Sequence, residues 1–267
     1  MTDPILVEVE AGLARLTLNR PASLNAFDAD LAVAWRDVTA DVVARDDVRA
    51  ILLQGSGRAF CAGGDVLAMA AGMRGGADIT RLARVINEGI LSLTASSIPV
   101  VAAAHGTTAG GGLGILMCSD YAVVGASSKI GSLYANIGLT PDLSVSAQLA
   151  RAIGERRALQ LVLQDRMLSA AEAVEWGLVA EAVGADAAGA GAEADAVRER
   201  AEQIAAFWLA GATGAYGQAK RLVRSQPSRA FADQLDEEAE SIGASFDTPD
   251  ARARVAAFAA ASAKSSR

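Results

Sequence analysis

Three short segments made almost entirely of apolar residues constrain the fold of this chain most. They are RAILLQG (49–55), VVAAAH (100–105) and YAVVGA (121–126). A strand with one face in water alternates apolar and polar residues, whereas strands of a parallel sheet with both faces covered are apolar at successive positions. The three segments therefore predict a parallel sheet packed between layers of helices, which is an α/β fold.

Other segments predict the elements that surround this sheet. ILVEVE (5–10) and LARLTLN (13–19) alternate apolar and polar residues on either side of Ala11-Gly12, which predicts a β-hairpin. Apolar residues at helical spacing predict helices over 27–46, over 78–96 with an interruption at Gly89, and over 142–153.

The last third of the chain is predicted to be helical. SAAE (169–172) is a capping box, which marks the start of a helix. Residues 184–195 are rich in Ala, Gly and Asp and are interpreted as a loose connection, and only amphipathic helices follow. Thr248-Pro249 is expected to cap the last of them. These patterns divide the chain into an α/β core over 1–195 and a helical C-terminal subdomain over 196–267.

Charge and scarce residue types exclude several classes of function. A net charge of −7 and an aromatic content of 4% provide neither the basic surface nor the stacking side chains that nucleic-acid binding needs. The single histidine, His105, and the distant Cys61 and Cys118 do not make a zinc site. No apolar run reaches the ~18 residues of a membrane span, and the N-terminus does not resemble a signal peptide. We therefore expect a cytoplasmic protein that holds no metal.

Two glycine-rich turns follow buried strands directly. They are GSGRAFCAGGDV (55–66) and HGTTAGGGLGI (105–115). Because loops at the carboxyl ends of parallel strands face a common crevice, both turns are expected to border one ligand site. Two backbone N–H groups that converge there on one oxygen would form an oxyanion hole. Glycines that only permit tight packing between strand and helix explain the turns equally well, so the spacing alone leaves both interpretations open.

Five stretches in one order resemble a known family. They are NRPASLNAF (19–27), AFCAGGDV (59–66), IPVVAAAHGTTAGGGLGI (98–115), IGLTPD (137–142) and the segment 148–179. Together they resemble the crotonase, or enoyl-CoA hydratase/isomerase, family over nearly the whole chain. The resemblance implies a crotonase-like spiral of repeated ββα units with a C-terminal helical subdomain used in trimerisation, and trimers that often pair as hexamers. It also implies an acyl-CoA thioester as substrate, with no cofactor besides the coenzyme A that the substrate carries.

The resemblance assigns roles to residues of the two glycine-rich turns. Gly64 and Gly111 would donate the two N–H groups of the oxyanion hole. Ser23, Leu24 and Ala26 would bind the adenine end of coenzyme A through backbone groups. Further residues expected along the substrate are Ala62, Gly63, Asp65, Val66, Gly110, Tyr134 and Leu139.

Two acids of the family's hydratases are absent from this chain. The resemblance implies that hydratases carry one glutamate at the position of Gly114 and another at the position of Tyr134. Adding water to a double bond needs one group to activate the water and another to protonate the α-carbon. With neither acid present, ordinary hydration is not expected.

Asp142 in GLTPD is the carboxylate that remains, and some isomerases and a dehalogenase of the family place a catalytic aspartate there. A structural role competes with catalysis. With Thr140 as N-cap and Pro141 at the first helical position, Asp142 would be stabilised by the helix dipole. The dipole would also lower the pKa of its carboxyl, whereas burial in an apolar acyl pocket would raise it.

These residues favour an enoyl-CoA isomerase in which Asp142 is the base. The alternatives are a hydratase with an atypical acid and base, and a non-catalytic acyl-CoA-binding protein. An aryl-CoA dehalogenase would need a histidine upstream of the second apolar segment, and His105 is the first histidine in the chain.

Several further residues have two interpretations. Asp65 fits a helix start as well as the border of a ligand site. Cys61 is interpreted as a small buried residue because no base lies near it in sequence. Arg74, Arg81 and Arg84 would form a basic patch that either meets the phosphates of coenzyme A or is simply solvated.

Overall fold

The computed structural model describes residues 3–186 and 188–265. Nine strands form two sheets in this part of the chain. The strands are β1 (Ile5–Glu10), β2 (Leu13–Leu18), β3 (Ala50–Gly55), β4 (Val100–Ala104), β5 (Thr107–Ala109), β6 (Tyr121–Gly125), β7 (Lys129–Gly131), β8 (Met167–Ser169) and β9 (Glu181–Val183). The larger sheet has the order β1-β2-β3-β4-β6-β9 and is parallel except for the β1–β2 hairpin, as the apolar segments and the alternating segments predict.

Eleven helices surround the sheets in the described residues. They are α1 (Ala29–Val43), α2 (Val66–Gly72), α3 (Gly76–Ala95), α4 (Gly111–Met117), α5 (Val145–Ile153), α6 (Glu155–Gln164), α7 (Ala170–Glu175), α8 (Ala190–Ala210), α9 (Thr213–Ser225), α10 (Phe231–Phe246) and α11 (Pro249–Ser265). The predicted caps of α7 and α11 are present. Ser169 and Glu172 form a capping box, and Thr248 Oγ1 accepts from the N–H of Ala251 at 3.2 Å.

Both faces of the larger sheet are covered, which explains why its strands are apolar at successive positions. Leu53, Ala102 and Val124 belong to the core cluster that also contains residues of α1 and α3. Their neighbours in sequence, among them Leu52 and Val101, belong to a second cluster with Val197, Ala201 and Ala205 of α8. Both clusters remove apolar surface from water, which is the main stabilising contribution to such a core.

The order of elements repeats along the chain. β4 and β5 are followed by α4, and β6 and β7 are followed by α5, with β5 parallel to β7 in a small sheet that β8 completes. This is the repeated ββα arrangement that the sequence resemblance implies. It places the start of α4, at Gly111, within the second glycine-rich turn.

The predicted interruption at Gly89 is wrong, because α3 continues through it. Gly89 is buried against α1, where a Cβ would overlap the indole of Trp35. Trp35 Nε1 donates to the carbonyl oxygen of Ile86 at 3.1 Å. The glycine therefore permits close packing of two helices and does not end one.

Two predicted boundaries are also corrected. The helix expected over 142–153 begins at Val145, with Ser144 as its N-cap, so Thr140 and Pro141 do not start it. Asp142 consequently lies in a loop. Residues 190–195, interpreted as part of a loose connection, are the first part of α8. The division of the chain near residue 195 therefore falls within α8 and stays a prediction.

The helices after α8 leave large apolar side chains in solvent. Phe231, Ile242 and Phe258 are 76%, 72% and 77% exposed. Within the described residues, no helix combines the length and apolar character needed to cross a membrane.

Candidate active site

The two glycine-rich turns lie against each other, as expected from their positions after neighbouring strands. Cys61 and Thr108 form a β-bridge, and the N–H of Ala109 donates to the carbonyl oxygen of Cys61 at 3.0 Å. Gly63 has a φ of +104°, and a Cβ at this position would lie 3.1 Å from the nitrogen of Gly111. Glycine at position 63 therefore allows the two turns to approach this closely.

Two backbone donors at this junction are unused. Across the described ranges, neither the N–H of Gly64 nor that of Gly111 donates to a backbone carbonyl in a loop or turn. Gly111 is the first residue of α4, so its N–H has no partner within the helix and carries part of the positive end of the helix dipole. Both groups are available to a negatively charged oxygen of a ligand.

A cavity of about 630 Å³ adjoins these donors. Its walls are the two turns, the side of α3 and the loop between β7 and α5. The predicted residues that line it are Ala62, Gly64, Val66, Gly110, Gly111, Tyr134, Leu139 and Asp142. Ser23, Leu24, Ala26, Gly63 and Asp65 do not line it.

The predicted adenine-binding turn is joined to the first glycine-rich turn by backbone hydrogen bonds. The carbonyl oxygen of Leu24 accepts from the N–H of Ala62 at 3.0 Å, and the N–H of Phe27 donates to Gly63 O at 2.7 Å. Ser23 and Ala26 belong to the same turn, joined by a hydrogen bond from the N–H of Ala26 to Ser23 O at 3.0 Å. A role of these backbone groups in adenine binding stays a prediction.

Asp65 occupies a helix start, which is one of its two interpretations. Its carboxylate accepts from the N–H of Ala68 at 3.0 Å and from Arg20 at 3.1 Å. The backbone hydrogen bond from Ala68, followed by the contact with Arg20, lowers the pKa of Asp65. This carboxylate is held away from the cavity.

Asp142 and Tyr134 form a hydrogen-bonded pair in the cavity wall. Tyr134 Oη donates to Asp142 Oδ1 at 2.6 Å. Burial raises the pKa of Asp142 above its ordinary value, and the hydrogen bond from Tyr134 offsets part of that rise. Burial and the neighbouring carboxylate also raise the pKa of Tyr134, so the phenol stays protonated and remains a donor. Among the described residues that line the cavity, Asp142 is the carboxylate.

Gly114 cannot be replaced by an acid without a change in the backbone. It is buried in α4, and a Cβ on it would overlap the carbonyl oxygen of Leu143. Leu143 and Ser144 have φ values of +47° and +69°, which brings the chain back against α4 before α5 begins. The space that a side chain at position 114 would need is therefore filled by main chain.

His105 and the cysteines are packed residues. His105 is 7% exposed, and its Nε2 lies 2.7 Å from Gly57 O, a distance at which Nε2–H donates to the carbonyl. Cys61 and Cys118 are free and buried, and burial raises the pKa of each thiol to about 12. A thiol with such a pKa is a poor nucleophile at neutral pH.

Sequence reasoning missed most of the α3 wall. Ile79, Leu82, Ala83, Ile86 and Asn87 line the cavity, because α3 presents one side to α1 and another to the glycine-rich turns. The helical spacing predicted the helix, but no local signal indicated which side faces a ligand. Of the three arginines proposed as a basic patch, Arg84 lines the cavity and Arg81 pairs with Asp78.

Known proteins resemble this chain over nearly its whole length. The family model described as enoyl-CoA hydratase/isomerase matches residues 8–263. The chain is 30% identical over 262 residues to 1,2-epoxyphenylacetyl-CoA isomerase of Escherichia coli K12, covering 97% of each protein. It is 33% identical over 263 residues to a Rhizobium meliloti protein named "Probable enoyl-CoA hydratase", covering 97% of this chain and 95% of that protein.

A solved structure shows the same fold. An enoyl-CoA hydratase from Polaromonas sp. JS666 superposes with a TM-score of 0.86 at 25% identity, covering 96% of each chain. Proteins named as isomerases and as hydratases thus occur at comparable identity. The choice between these activities therefore depends on the residues of the site.

Proposed function

The chain belongs to the enoyl-CoA hydratase/isomerase family, and we propose that it is an enoyl-CoA isomerase with Asp142 as the proton-transferring base. One observation carries this proposal. Asp142 is the carboxylate among the described residues that line a cavity where two backbone N–H groups are unused. One carboxylate and one oxyanion hole suffice to move a double bond.

In the proposed reaction a 3-enoyl-CoA binds with its thioester oxygen between the N–H groups of Gly64 and Gly111. The ionised carboxylate of Asp142 removes a proton from the α-carbon, and the electron pair of that C–H bond delocalises onto the thioester oxygen to give an enolate. Protonated Asp142 then returns the proton to the γ-carbon while the double bond shifts to the α,β position. The product is a 2-enoyl-CoA, and no atom is gained or lost.

The oxyanion hole supplies much of the required stabilisation. Negative charge develops on the thioester oxygen as the proton leaves, and fixed N–H donors interact more strongly with that charge than with the neutral carbonyl. In comparable sites one such donor contributes about 2.7–4 kcal/mol to the stabilisation of the transition state. Both donors belong to the backbone, so no side chain is needed at position 64 or 111.

The surroundings of Asp142 suit a base that must also give its proton back. A carboxylate with an ordinary pKa is a weak base at neutral pH, and burial raises the pKa of Asp142 toward the operating range. Tyr134 holds one carboxylate oxygen, which leaves the other oxygen to face the substrate.

Hydration is the competing activity within the family. It would require a second acid or base, yet positions 114 and 134 carry Gly and Tyr, and main chain fills the space beside Gly114. To test the proposal, the purified protein is incubated with a 3-enoyl-CoA and, separately, with a 2-enoyl-CoA. An isomeric product of unchanged mass supports isomerisation. A product heavier by one water molecule, formed at the greater rate, would show that the enzyme is a hydratase.

Replacing Tyr134 with phenylalanine is expected to move the acid limb of the kcat/KM profile to higher pH. The hydrogen bond from Tyr134 lowers the pKa of Asp142, so its removal lets that pKa rise further. Since the base works in its ionised form, activity would then be lost at a higher pH as the pH falls. The profile is measured with a 3-enoyl-CoA.

Tyr216→Phe is the control for this experiment, because Tyr216 stacks on Phe207 and does not line the cavity. Its acid limb should coincide with that of the unmodified protein. An acid limb that stays in place in Tyr134→Phe would show that Asp142 is not the titrating base.

We also propose a homotrimer, or a dimer of trimers, in the cytoplasm. The exposed Phe231, Ile242 and Phe258 on the C-terminal helices support assembly, because contact between copies of the chain would remove these large apolar side chains from water. Two free, buried cysteines suit a reducing compartment. Light scattering tests the assembly, and a monomer at micromolar concentration would contradict it. The reaction needs no cofactor beyond the coenzyme A of its substrate.

A further inference from the structure

The α3 wall of the cavity carries three polar side chains that differ in their partners. Thr80 Oγ1 donates to the carbonyl oxygen of Gly76 within its own helix at 2.9 Å. Arg84 and Asn87 line the cavity and have no side-chain hydrogen bond or ion pair with the described part of the chain. Two groups on this wall are therefore available to a ligand.

Arg84 and Asn87 differ in how far they are exposed to solvent. Arg84 is exposed, so water solvates its guanidinium. Asn87 is half-buried and directly follows Ile86, which is 3% exposed. The residues of α3 beyond Asn87 do not line the cavity. Asn87 is thus the last residue of α3 that lines the cavity and is less exposed than Arg84, so a bound ligand would displace water around its amide.

The other surroundings of Asn87 on α3 are apolar. Ile79, Leu82, Ala83 and Ile86 supply the rest of the wall apart from Thr80 and Arg84. A primary amide has two N–H donors and one acceptor oxygen, and leaving them unpaired in a desolvated site costs free energy. A plain hydrocarbon acyl chain would desolvate the amide without replacing its hydrogen bonds to water.

We propose that Asn87 is a specificity-determining residue and that the cavity takes acyl-CoA thioesters whose acyl group carries a hydroxyl or keto oxygen beyond the reacting carbons. The amide of Asn87 hydrogen-bonds to that oxygen while the thioester lies at Gly64 and Gly111. The inference rests on the proposed function for the position of the thioester. A site built to pair with a polar group discriminates strongly against an analogue that lacks it.

The test measures binding of unreactive ligands by calorimetry, so it does not depend on turnover. Hexanoyl-CoA is compared with 5-oxohexanoyl-CoA and 6-hydroxyhexanoyl-CoA. We expect at least one oxygenated ligand to bind the unmodified protein about tenfold more tightly than hexanoyl-CoA. A tenfold ratio of dissociation constants corresponds to a difference of about 1.4 kcal/mol in binding free energy, which is the scale of one hydrogen bond.

Substitution of Asn87 tests whether its amide causes the preference. Asn87→Leu should abolish the preference, because the oxygenated ligand loses its hydrogen bond while hexanoyl-CoA, which no longer desolvates an amide, binds at least as tightly as before. Asn87→Ala should do the same if leucine perturbs the fold. Thr80→Val is the matched control, because its hydroxyl is already paired within α3. The ratio should be unchanged in this variant.

Two outcomes would overturn the inference. One is equal affinity of the unmodified protein for all three ligands. The other is an equal loss for all three ligands in Asn87→Leu, which would place the amide against coenzyme A instead of the acyl group. Failure of the proposed isomerisation is detected separately, as absence of turnover of 3-hexenoyl-CoA. The ratios of binding affinity can still be measured in that case.

Discussion

Replacing Asp142 with asparagine is expected to lower kcat for conversion of a 3-enoyl-CoA to a 2-enoyl-CoA by about 10²- to 10⁴-fold, the usual contribution of a positioned general base. Asparagine keeps the shape of the side chain and an oxygen that can accept from Tyr134, but it cannot take up the proton. Affinity for coenzyme A should change little, because Asp142 lines the cavity, whereas Ser23, Leu24 and Ala26 of the predicted adenine-binding turn do not.

The same substitution should not reduce the stability of the fold. Burial raises the pKa of Asp142 in the folded chain, so the folded state binds its proton more tightly than the unfolded state. The resulting stabilisation is present at low pH and is lost as the pH rises through the folded-state pKa. At neutral pH the ionised carboxylate therefore costs stability, and Asp142→Asn should melt at an equal or higher temperature.

Asp37→Asn is the control for Asp142→Asn. Asp37 pairs with Arg36 at 2.7 Å on the surface, and its loss should leave kcat unchanged. Isomerisation that persists at the normal rate in a correctly folded Asp142→Asn protein would remove Asp142 from the mechanism. A lower melting temperature together with lost activity would instead indicate a structural role.

Replacing Gly114 with alanine is expected to lower the free energy of unfolding by about 1–3 kcal/mol, the usual cost of overpacking a core. The new Cβ would overlap the carbonyl oxygen of Leu143, which is main chain and cannot rotate away. Because Asp142 precedes Leu143, any relief of the overlap would move Asp142 and reduce kcat as well. Chemical denaturation and the isomerase assay measure the two effects.

Gly114→Glu should fold less well still and should not add water to a 2-enoyl-CoA. It combines the overlap with burial of a charged group that has no partner, which is strongly unfavourable. Gly243→Ala is the matched control, since Gly243 lies within α10 with no atom within 4 Å of a Cβ built on it. Alanine is the better helix former there by roughly 0.5–1 kcal/mol. A stable Gly114→Glu protein that adds water to a 2-enoyl-CoA would contradict this prediction. It would show that the main chain at Leu143 moves at little cost.

The parts of the fold that the sequence predicts are those fixed by local signals. Successive apolar residues predicted β3, β4 and β6, and the Ser169–Glu172 capping box predicted the start of α7. The two glycine-rich turns were expected to border one crevice because parallel strands end on the same side. Their contact through Gly63 and Gly111 agrees with this.

The parts that were not predicted depend on contacts between distant segments. Thr140 and Pro141 carry a helix-start signal, but Asp142 turns to Tyr134 and Leu143 packs on α4, so α5 begins later. Gly89 is a weak helix residue by local propensity, yet Trp35 of α1 requires it. Asn87 carries no motif at all, and its position in the cavity follows only from how α3 packs.

The main chain of Leu143 against Gly114 has a consequence for altering this enzyme by mutation. Positions 114 and 143–144 are coupled, because a side chain at position 114 fits only if the main chain at 143–144 takes another conformation. If the protein is an isomerase as proposed, gaining a glutamate at position 114 for hydration therefore needs more than one substitution, and stepwise selection would pass through an overpacked, poorly folding intermediate. Libraries that vary Gly114 together with Leu143 and Ser144 avoid this barrier, whereas scanning one position at a time would record Gly114 as intolerant and miss the route.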